Sequence, residues 1–320
     1  MSTRTKKQTS SDKSKSHTGL KSKQKLIKQA TRLSSSKPRL AKATDPSNKN
    51  LKTEGYLHGY TAKEQNRLYH QARFLEDQVF SNVDFTGRKH IIEIGCGVGA
   101  QTEILLERYP DLKITCVDAS ADQLSRARKH LSEYIKAGRV SLTQANASEL
   151  PFADDSFDGA FVTWFLEHVP SPIEILKEAR RVLQRNALIH LNEVLNHTFF
   201  VHPYSPATLQ YWFAFNDHQW NLKGDPYVGA KLGNYLAAAG YAHITTNFTY
   251  VHLDNRQPKT RARFIEYWID LLLSGAPELE HAGKVTHDIV QQMTIELSSL
   301  RDNPDSVIFF GHMKARAEVL

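Results

Sequence analysis

From residue 89 onward the chain alternates short apolar runs with amphipathic segments, and this alternation narrows its fold more than any other feature. Residues 90–94 (HIIEI), 113–117 (KITCV), 140–144, 157–163 and 187–193 read as strands. Residues 101–108, 121–136 with Ser120 as N-cap, and 173–183 read as the helices between them. Strands that alternate with helices imply a parallel sheet covered on both faces. Ligands on such sheets bind beyond the carboxyl ends of the strands, where the strand order reverses. At that place stands Glu93-Ile94-Gly95-Cys96-Gly97-Val98-Gly99-Ala100. Glycine lets the backbone turn sharply and lets a ligand approach the main chain, and the helix start that follows offers N–H groups to an anion.

Taken alone, Gly95-x-Gly97-x-x-Ala100 also fits a dinucleotide fingerprint, which leaves a nicotinamide-dependent oxidoreductase open. Two acids narrow the choice. Asp118 closes the second strand, where a carboxylate accepts both hydroxyls of a ribose. Glu93, two residues before the first glycine, suits a cationic ligand and repels a pyrophosphate.

In combination these motifs resemble the class I S-adenosylmethionine-dependent methyltransferases. The resemblance rests on the E-x-G-x-G-x-G loop from Glu93 to Gly99, on Asp118, and on the polar-Ala pair Asn146-Ala147. It continues through the strand Phe157-Asp158-Gly159-Ala160-Phe161 and its end, Trp164-Phe165-Leu166-Glu167-His168-Val169. Upstream, Gly59-Tyr60, Glu64, Arg67-Leu68 and Gln71-Ala72 resemble the N-terminal helix of a small-molecule subgroup similar to the ubiquinone/menaquinone-biosynthesis methyltransferases. The resemblance implies an α/β, Rossmann-like class I methyltransferase fold. That fold is a mostly parallel seven-stranded sheet with helices on both faces, an antiparallel last strand and helical cap insertions.

The implied cofactor is S-adenosyl-L-methionine. On this resemblance Gly95, Cys96, Gly97 and Gly99 line its methionine and ribose, and Asp118 holds the ribose diol with Ala119 against the adenine. Asn146, where Asp is usual, and Ala147 meet the adenine edge, the amide oxygen accepting from the adenine amino group. Thr163 and Trp164 border the sulfonium, and Glu93 faces the ammonium through water. Tyr60, Arg67 and Gln71 belong to an N-terminal lid, the last two reaching the ligand carboxylate, with a surface helix charge as the other reading of Arg67. The implied activity is in-line methyl transfer onto a small, apolar or aromatic organic molecule. The alternative is an RNA or protein methyltransferase guided by a basic N-terminal tail. His168, Glu193 and His202 are the candidates for a general base, followed by Asp217 and His218. Five histidines fall between 168 and 218 without metal-ligand spacing, so no metal is expected.

Order is expected from Tyr56. Leu68, Ala72 and Leu75 make one helical stripe, and Thr61 followed by Glu64 reads as a capping box. Residues 199–220 hold eight of the chain's 31 aromatic rings, suited to a substrate cavity or to packing, the latter for Tyr211, Trp212 and Phe215 at helical spacing. Residues 228–239 read as a helix, 241–253 as a strand, 263–273 and 285–300 as helices, and 307–311 as the closing strand. The expected organisation is a methyltransferase domain over 54–320 with a cofactor-binding core at 85–194. Its substrate-cap insertions fall at about 195–227 and 254–305.

The formal charge of +7 is unevenly spread. Residues 1–53 hold 15 Lys/Arg against Asp12 and Asp45, a net of +13, and the remainder holds 26 against 32 acids, a net of −6. That tail has no aromatic residue and reads as disordered and solvated. An electrostatic arm for nucleic acid or an anionic surface, and a transit peptide, stay open for it. Neither an 18-residue apolar run nor a signal-peptide core is present, and Cys96 and Cys116 are too few for a disulfide framework. A cytoplasmic location follows as the expectation.

Overall fold

The computed structural model describes residues 61–320. The readings on the 1–53 tail and on Gly59 and Tyr60 lie outside the described residues. Five parallel strands form the centre of the sheet: β1 (His90–Ile94), β2 (Lys113–Asp118), β3 (Val140–Gln144), β4 (Phe157–Thr163) and β5 (Leu183–Val194). They lie in the order β3-β2-β1-β4-β5. The order therefore reverses between β1 and β4, and the crevice above that pair is where ligands bind in open α/β sheets.

Beyond β5 come β6 (Phe200–His202), β7 (Ala242–Leu253) and β8 (Val307–Glu318). β8 runs antiparallel between β5 and β7. Among the described residues the sheet has eight strands rather than the seven expected. The extra one is β6, whose three residues pair with Val307, Ile308 and Phe309. The reason is length: β8 continues to Glu318, and its pairing with β5 covers only the stretch from His312 to Glu318. β6 satisfies backbone groups that β5 does not reach.

Helices α1 (Ala62–Phe74), α2 (Glu76–Phe80), α3 (Ala100–Arg108), α4 (Ala121–His130), α5 (Ser132–Lys136) and α6 (Pro172–Val182) accompany the parallel half. α7 (Pro206–Asn221), α8 (Leu232–Ala238), α9 (Pro258–His281) and α10 (His287–Asp302) follow. Alternate strand residues face opposite sides. Ile91, Cys116 and Phe161 join one core with α2, α3 and the helices α7, α9 and α10. Ile92, Ile94, Val117, Val162 and Ile189 join the other with α6 and α8. No helix among the described residues is long and apolar enough to cross a membrane.

Local chemistry sets the helix ends. Ser120 accepts the Gln123 N–H at the start of α4, as its sequence position implies, and Thr61 accepts the Glu64 N–H at the start of α1. Glu64, expected to complete that capping box, places its carboxylate on Arg67 instead. The helix expected over 121–136 breaks at Leu131, which is fully buried and packs against Gly99.

Of the eight rings in 199–220, Phe199, Tyr211, Trp212 and Phe215 are buried, and Phe200, Tyr204, Phe213 and Trp220 are exposed. Trp212, Phe199 and Phe215 cluster with Trp268 of α9, with ring centroids 4.4–5.3 Å apart. The Tyr211 hydroxyl donates to the Leu272 carbonyl and ties α7 to α9. Tyr211→Phe is expected to cost about 1–2 kcal/mol in urea unfolding, the penalty for one buried hydrogen bond. A loss below the detection limit would mean that this bond does not hold the two helices.

Candidate functional site

Gly95, Gly97 and Gly99 all take left-handed backbone conformations, with φ of +75°, +52° and +80°. They differ in what a side chain would meet there. A Cβ on Gly95 would stand 2.3 Å from the Phe165 ring, and one on Gly99 would stand 2.6 Å from Leu131. A Cβ on Gly97 would meet no protein atom within 4 Å. Two of the glycines therefore permit packing within the protein, and Gly97 turns its bare backbone to open space above the sheet.

Asp118, at the end of β2, anchors this loop. Its Oδ2 accepts the Gly97 N–H at 2.9 Å and its Oδ1 accepts the Ser120 N–H at 2.8 Å. Burial raises its carboxyl above the ordinary range. Each oxygen keeps lone-pair capacity for a further donor. The neighbouring Ala119 carbonyl accepts from Gln144 Nε2 at 3.0 Å. Asn146 is exposed and Ala147 buried. The Asn146 Oδ1 accepts the Ser148 N–H at 3.1 Å, so the oxygen expected to reach an adenine amino group also holds its own turn.

Glu93 does not stand toward solvent. It is buried, the Thr102 hydroxyl donates to its Oε2 at 2.5 Å, and burial pushes its carboxyl up to about 8. It lies sealed beneath the loop, so the water-mediated reach expected of it is replaced by a direct bond to α3. Cys96 is buried, and its neighbour Cys116 together with burial raises its thiol well above the ordinary value. A protonated buried thiol is a poor nucleophile.

α1 lies against the loop. Tyr69 donates its hydroxyl to the Val98 carbonyl at 3.0 Å, and Arg73 pairs with Glu103 and Glu107 of α3, each at 2.7 Å. Arg67 is buried and bonded to both oxygens of Glu64 and, at 2.6 Å, to Gln71. Arg67 and Gln71 thus come together, engaged with each other, and Arg67 lines a cavity of about 360 Å³ with Phe74, Arg263 and Tyr267.

At the end of β4, Thr163 buries a hydroxyl that has no protein partner among the described residues. Trp164 holds φ at +50°, a strained value for a bulky residue, and donates its N–H to the Asn192 carbonyl at 2.9 Å. The next two N–H groups, of Phe165 and Leu166, donate to Glu193 Oε1 at 3.0 and 2.9 Å. Glu193 is fully buried, and burial plus the nearby Glu167 push its carboxyl up to about 8. Expected as a base, it sits under the turn that aims Trp164 and fixes that turn's shape.

His168 is half-buried, 3.6 Å from Glu167, which accepts in turn from Gln219 of α7 at 2.9 Å. His202 does not join the group: it is exposed on β6 and faces Asp305 at 3.3 Å. Asp217 is exposed on α7, and His218 is buried against Glu278 of α9 at 3.4 Å, a contact within the cap. Asp158, quoted only as part of a strand motif, accepts the N–H groups of Lys89 and His90 and clamps the start of β1. Tyr69, Thr102 and Asn192 were not legible as members of the site. The one local signal was a polar residue on an otherwise apolar face.

Residues 92–191 match the family model described as a methyltransferase domain. An O-methyltransferase of Aspergillus sclerotiorum is 33% identical over 107 residues, 33% of this chain and 40% of that protein. An O-methyltransferase of Penicillium expansum is 32% identical over 158 residues, 49% of this chain and 53% of its own length. The demethylmenaquinone methyltransferase of Symbiobacterium thermophilum is 28% identical over 155 residues, covering 46% and 62%. The chain thus spans about half the length of the curated relatives it matches. A putative methyltransferase structure from Bacillus halodurans aligns with a TM-score of 0.48 at 16% identity, covering 77% of this chain and 97% of that one.

Proposed function

We propose that this chain, whose residues 92–191 match a methyltransferase domain, moves a methyl group from S-adenosyl-L-methionine to a small apolar or aromatic organic molecule. The observation that carries the reading is the open left-handed backbone at Gly97, held by Asp118 at the point where the strand order reverses. A Cβ there would fill the space a ligand needs, which is the fit this cofactor requires.

Gly95, Cys96, Gly97 and Gly99 would hold the methionine and ribose through their backbone, with Asp118 on the ribose hydroxyls. Ala119, Asn146 and Ala147 would border the adenine, and Thr163 and Trp164 the sulfur. Tyr60, Arg67 and Gln71 would belong to the lid. When bound, the cofactor supplies a methyl already activated by a positively charged sulfur. The chain then has to position the acceptor and exclude water. α1 covers the loop through Tyr69, and Glu193 fixes the turn that carries Trp164. The names of the fungal relatives support an oxygen acceptor. Two buried free thiols suit a cytoplasmic setting.

Calorimetry with S-adenosylhomocysteine and with NAD tests this. The chain is expected to bind the first and not the second. Asp118→Asn, which removes the charge and one acceptor, is expected to weaken the first about tenfold. Preference for NAD, or unchanged affinity in the variant, would overturn the reading.

A further inference from the structure

A sheet edge can still bind a strand, because one row of its N–H and C=O groups lacks partners. The described sheet ends in β3 on one side and β7 on the other. β3 has five residues, Val140–Gln144, and shortness is one of the ordinary guards of an edge. β7 has twelve, Ala242–Leu253, and pairs with β8 alone among the described residues. Every second residue along it therefore turns its backbone groups outward. From Thr245 to Phe248 four successive residues are exposed, so the strand is open on both faces there.

β7 lacks the other guards as well. Its sequence, AHITTNFTYVHL, holds no Lys, Arg, Asp, Glu or Pro. Its one irregularity lies at its start, between Ala242 and Thr245, and leaves Thr245 to Leu253 in unbroken register with β8. Thr, Ile, Phe, Tyr and Val favour extended backbone. An edge of this length and composition is a template for another strand.

An aromatic row adjoins the edge. Phe248, Tyr250 and His252 share one face of β7, in line with Phe309 of β8 and Phe200 of β6. Phe248 and Tyr250 stack at 5.9 Å, and Tyr250 and Phe309 at 5.4 Å. Gly311 makes room for the first, since a Cβ there would stand 2.3 Å from the Phe248 ring. Yet Phe248, Tyr250 and Phe200 remain 46%, 55% and 53% exposed. Contiguous exposed apolar surface of this kind marks an interaction site. Charge selects the partner. Residues 54–320 carry 26 Lys/Arg against 32 acids, a net of −6. Two copies therefore repel over most of their surface and approach best where neither presents an acid. β7 is such a place, and a charged peptide would find no counter-charge on it.

We propose that β7 pairs antiparallel with β7 of a second copy about a two-fold axis, which joins two eight-stranded sheets into one. The axis passes near Asn247, at the middle of the strand, so the two uncharged edges match along their length. An axis normal to the sheet keeps like faces together, and the aromatic rows of both copies meet on one side of the joint sheet. The three half-exposed rings supply roughly 300 Å² per copy, since an aromatic side chain buries about 150–250 Å² in full. The strand, open on both faces from Thr245 to Phe248, supplies the rest of the about 800 Å² that a stable interface takes from each partner. β4, β5 and β8 separate the joint from the glycine loop after β1, so both crevices above β1 and β4 stay open.

Sedimentation equilibrium of the full chain over a dilution series tests this, with hydrogen exchange at both ends of the series. The chain is expected to be a dimer at high concentration, with β7 amides that are protected there and exchange on dilution. Thr246→Lys combined with Tyr250→Lys, two exposed residues on the aromatic face of β7, brings like charges together across the joint. The pair is expected to raise the dimer dissociation constant at least about tenfold. The two positions stand opposite Ala315 and Gly311 of β8, so the melting temperature is expected to hold within a few degrees. Should the double variant unfold, Thr246→Lys alone reads the same constant and is expected to raise it. Ile295→Lys, at an equally exposed apolar residue of α10, is expected to leave the dimer unchanged. The inference is overturned if the full chain is a monomer throughout, if the β7 lysines leave the dimer as strong, or if Ile295→Lys weakens it equally. Protection of the β7 amides at every concentration would put another segment of the same chain on the edge, and would overturn it too.

Discussion

Valine at Gly97 is expected to remove S-adenosylhomocysteine binding while costing the fold only about 1–3 kcal/mol, and valine at Gly95 is expected to cost about 3–5 kcal/mol. Both positions are left-handed, at φ +52° and +75°, so both substitutions carry the backbone strain of a β-branched residue there. At Gly97 nothing further is lost, since a Cβ meets no protein atom within 4 Å. The side chain then occupies the space the ligand needs. At Gly95 the Cβ would fall 2.3 Å from Phe165. That ring has little room to retreat, because Glu193 holds the N–H groups of Phe165 and Leu166 from below. Overpacking therefore adds to strain. Urea unfolding and calorimetry on the two variants separate the effects. If Gly97→Val binds S-adenosylhomocysteine within tenfold of the unmodified chain, the loop does not face the ligand.

Much of the fold was legible because its elements are bounded locally. β3 and β4 occupy the residues their apolar pattern implies, between turn-forming stretches. Errors arose where a distant contact decides. Helical periodicity runs smoothly from 121 to 136, and nothing in it announces that Leu131 must sit against Gly99. β5 begins at Leu183, earlier than expected, as its first residue pairs with Phe157 ahead of a register shift. β8 continues past Gly311 through His312, Lys314 and Arg316 because β5 and β7 flank it on both sides. A strand buried between neighbours normally reads as continuous apolar sequence, so those three residues looked like a terminus.

The same asymmetry governs the site. The glycine loop and Asp118 are close in sequence and in space, so spacing alone placed them together. His202 looked eligible by residue type, yet its partner Asp305 is 103 residues away and on the surface. Glu193 drew attention as a carboxylate at a strand end, but its role as the clamp of the β4 turn depends on N–H groups 27 and 28 residues upstream. The period-two run His312-x-Lys314-x-Arg316 was the overlooked signal. Polar alternation there belongs to a strand that β5 and β7 flank on both sides.

Stability is expected to fall as pH rises from about 5 to 8, and Glu93→Gln and Glu193→Gln are each expected to remove part of that fall. Both carboxyls are pushed from the ordinary 4.5 up to about 8, Glu93 and Glu193 alike mainly by burial. Below pH 4.5 folded and unfolded chains both hold these protons. Through the window up to about 8 the unfolded chain releases them and the folded chain keeps them, so each pH unit lowers stability by roughly 1.4 kcal/mol per group. Above that window both states are ionised and the loss is complete. His190 and His312 act on the other side: burial pulls both down to about 4, so stability they carry above pH 6.5 drains away as pH falls toward 4. The difference between each Gln variant and the unmodified chain cancels the histidines and isolates one carboxyl. Near pH 5 each variant should match the unmodified chain, and near pH 8 each should exceed it by about 2–4 kcal/mol. Glu193→Gln can keep an oxygen for the Phe165 and Leu166 N–H groups, so the turn survives the change. Parallel stability curves across that window would mean that these two carboxyls ionise freely beneath the loop and the β4 turn, and that burial does not control them.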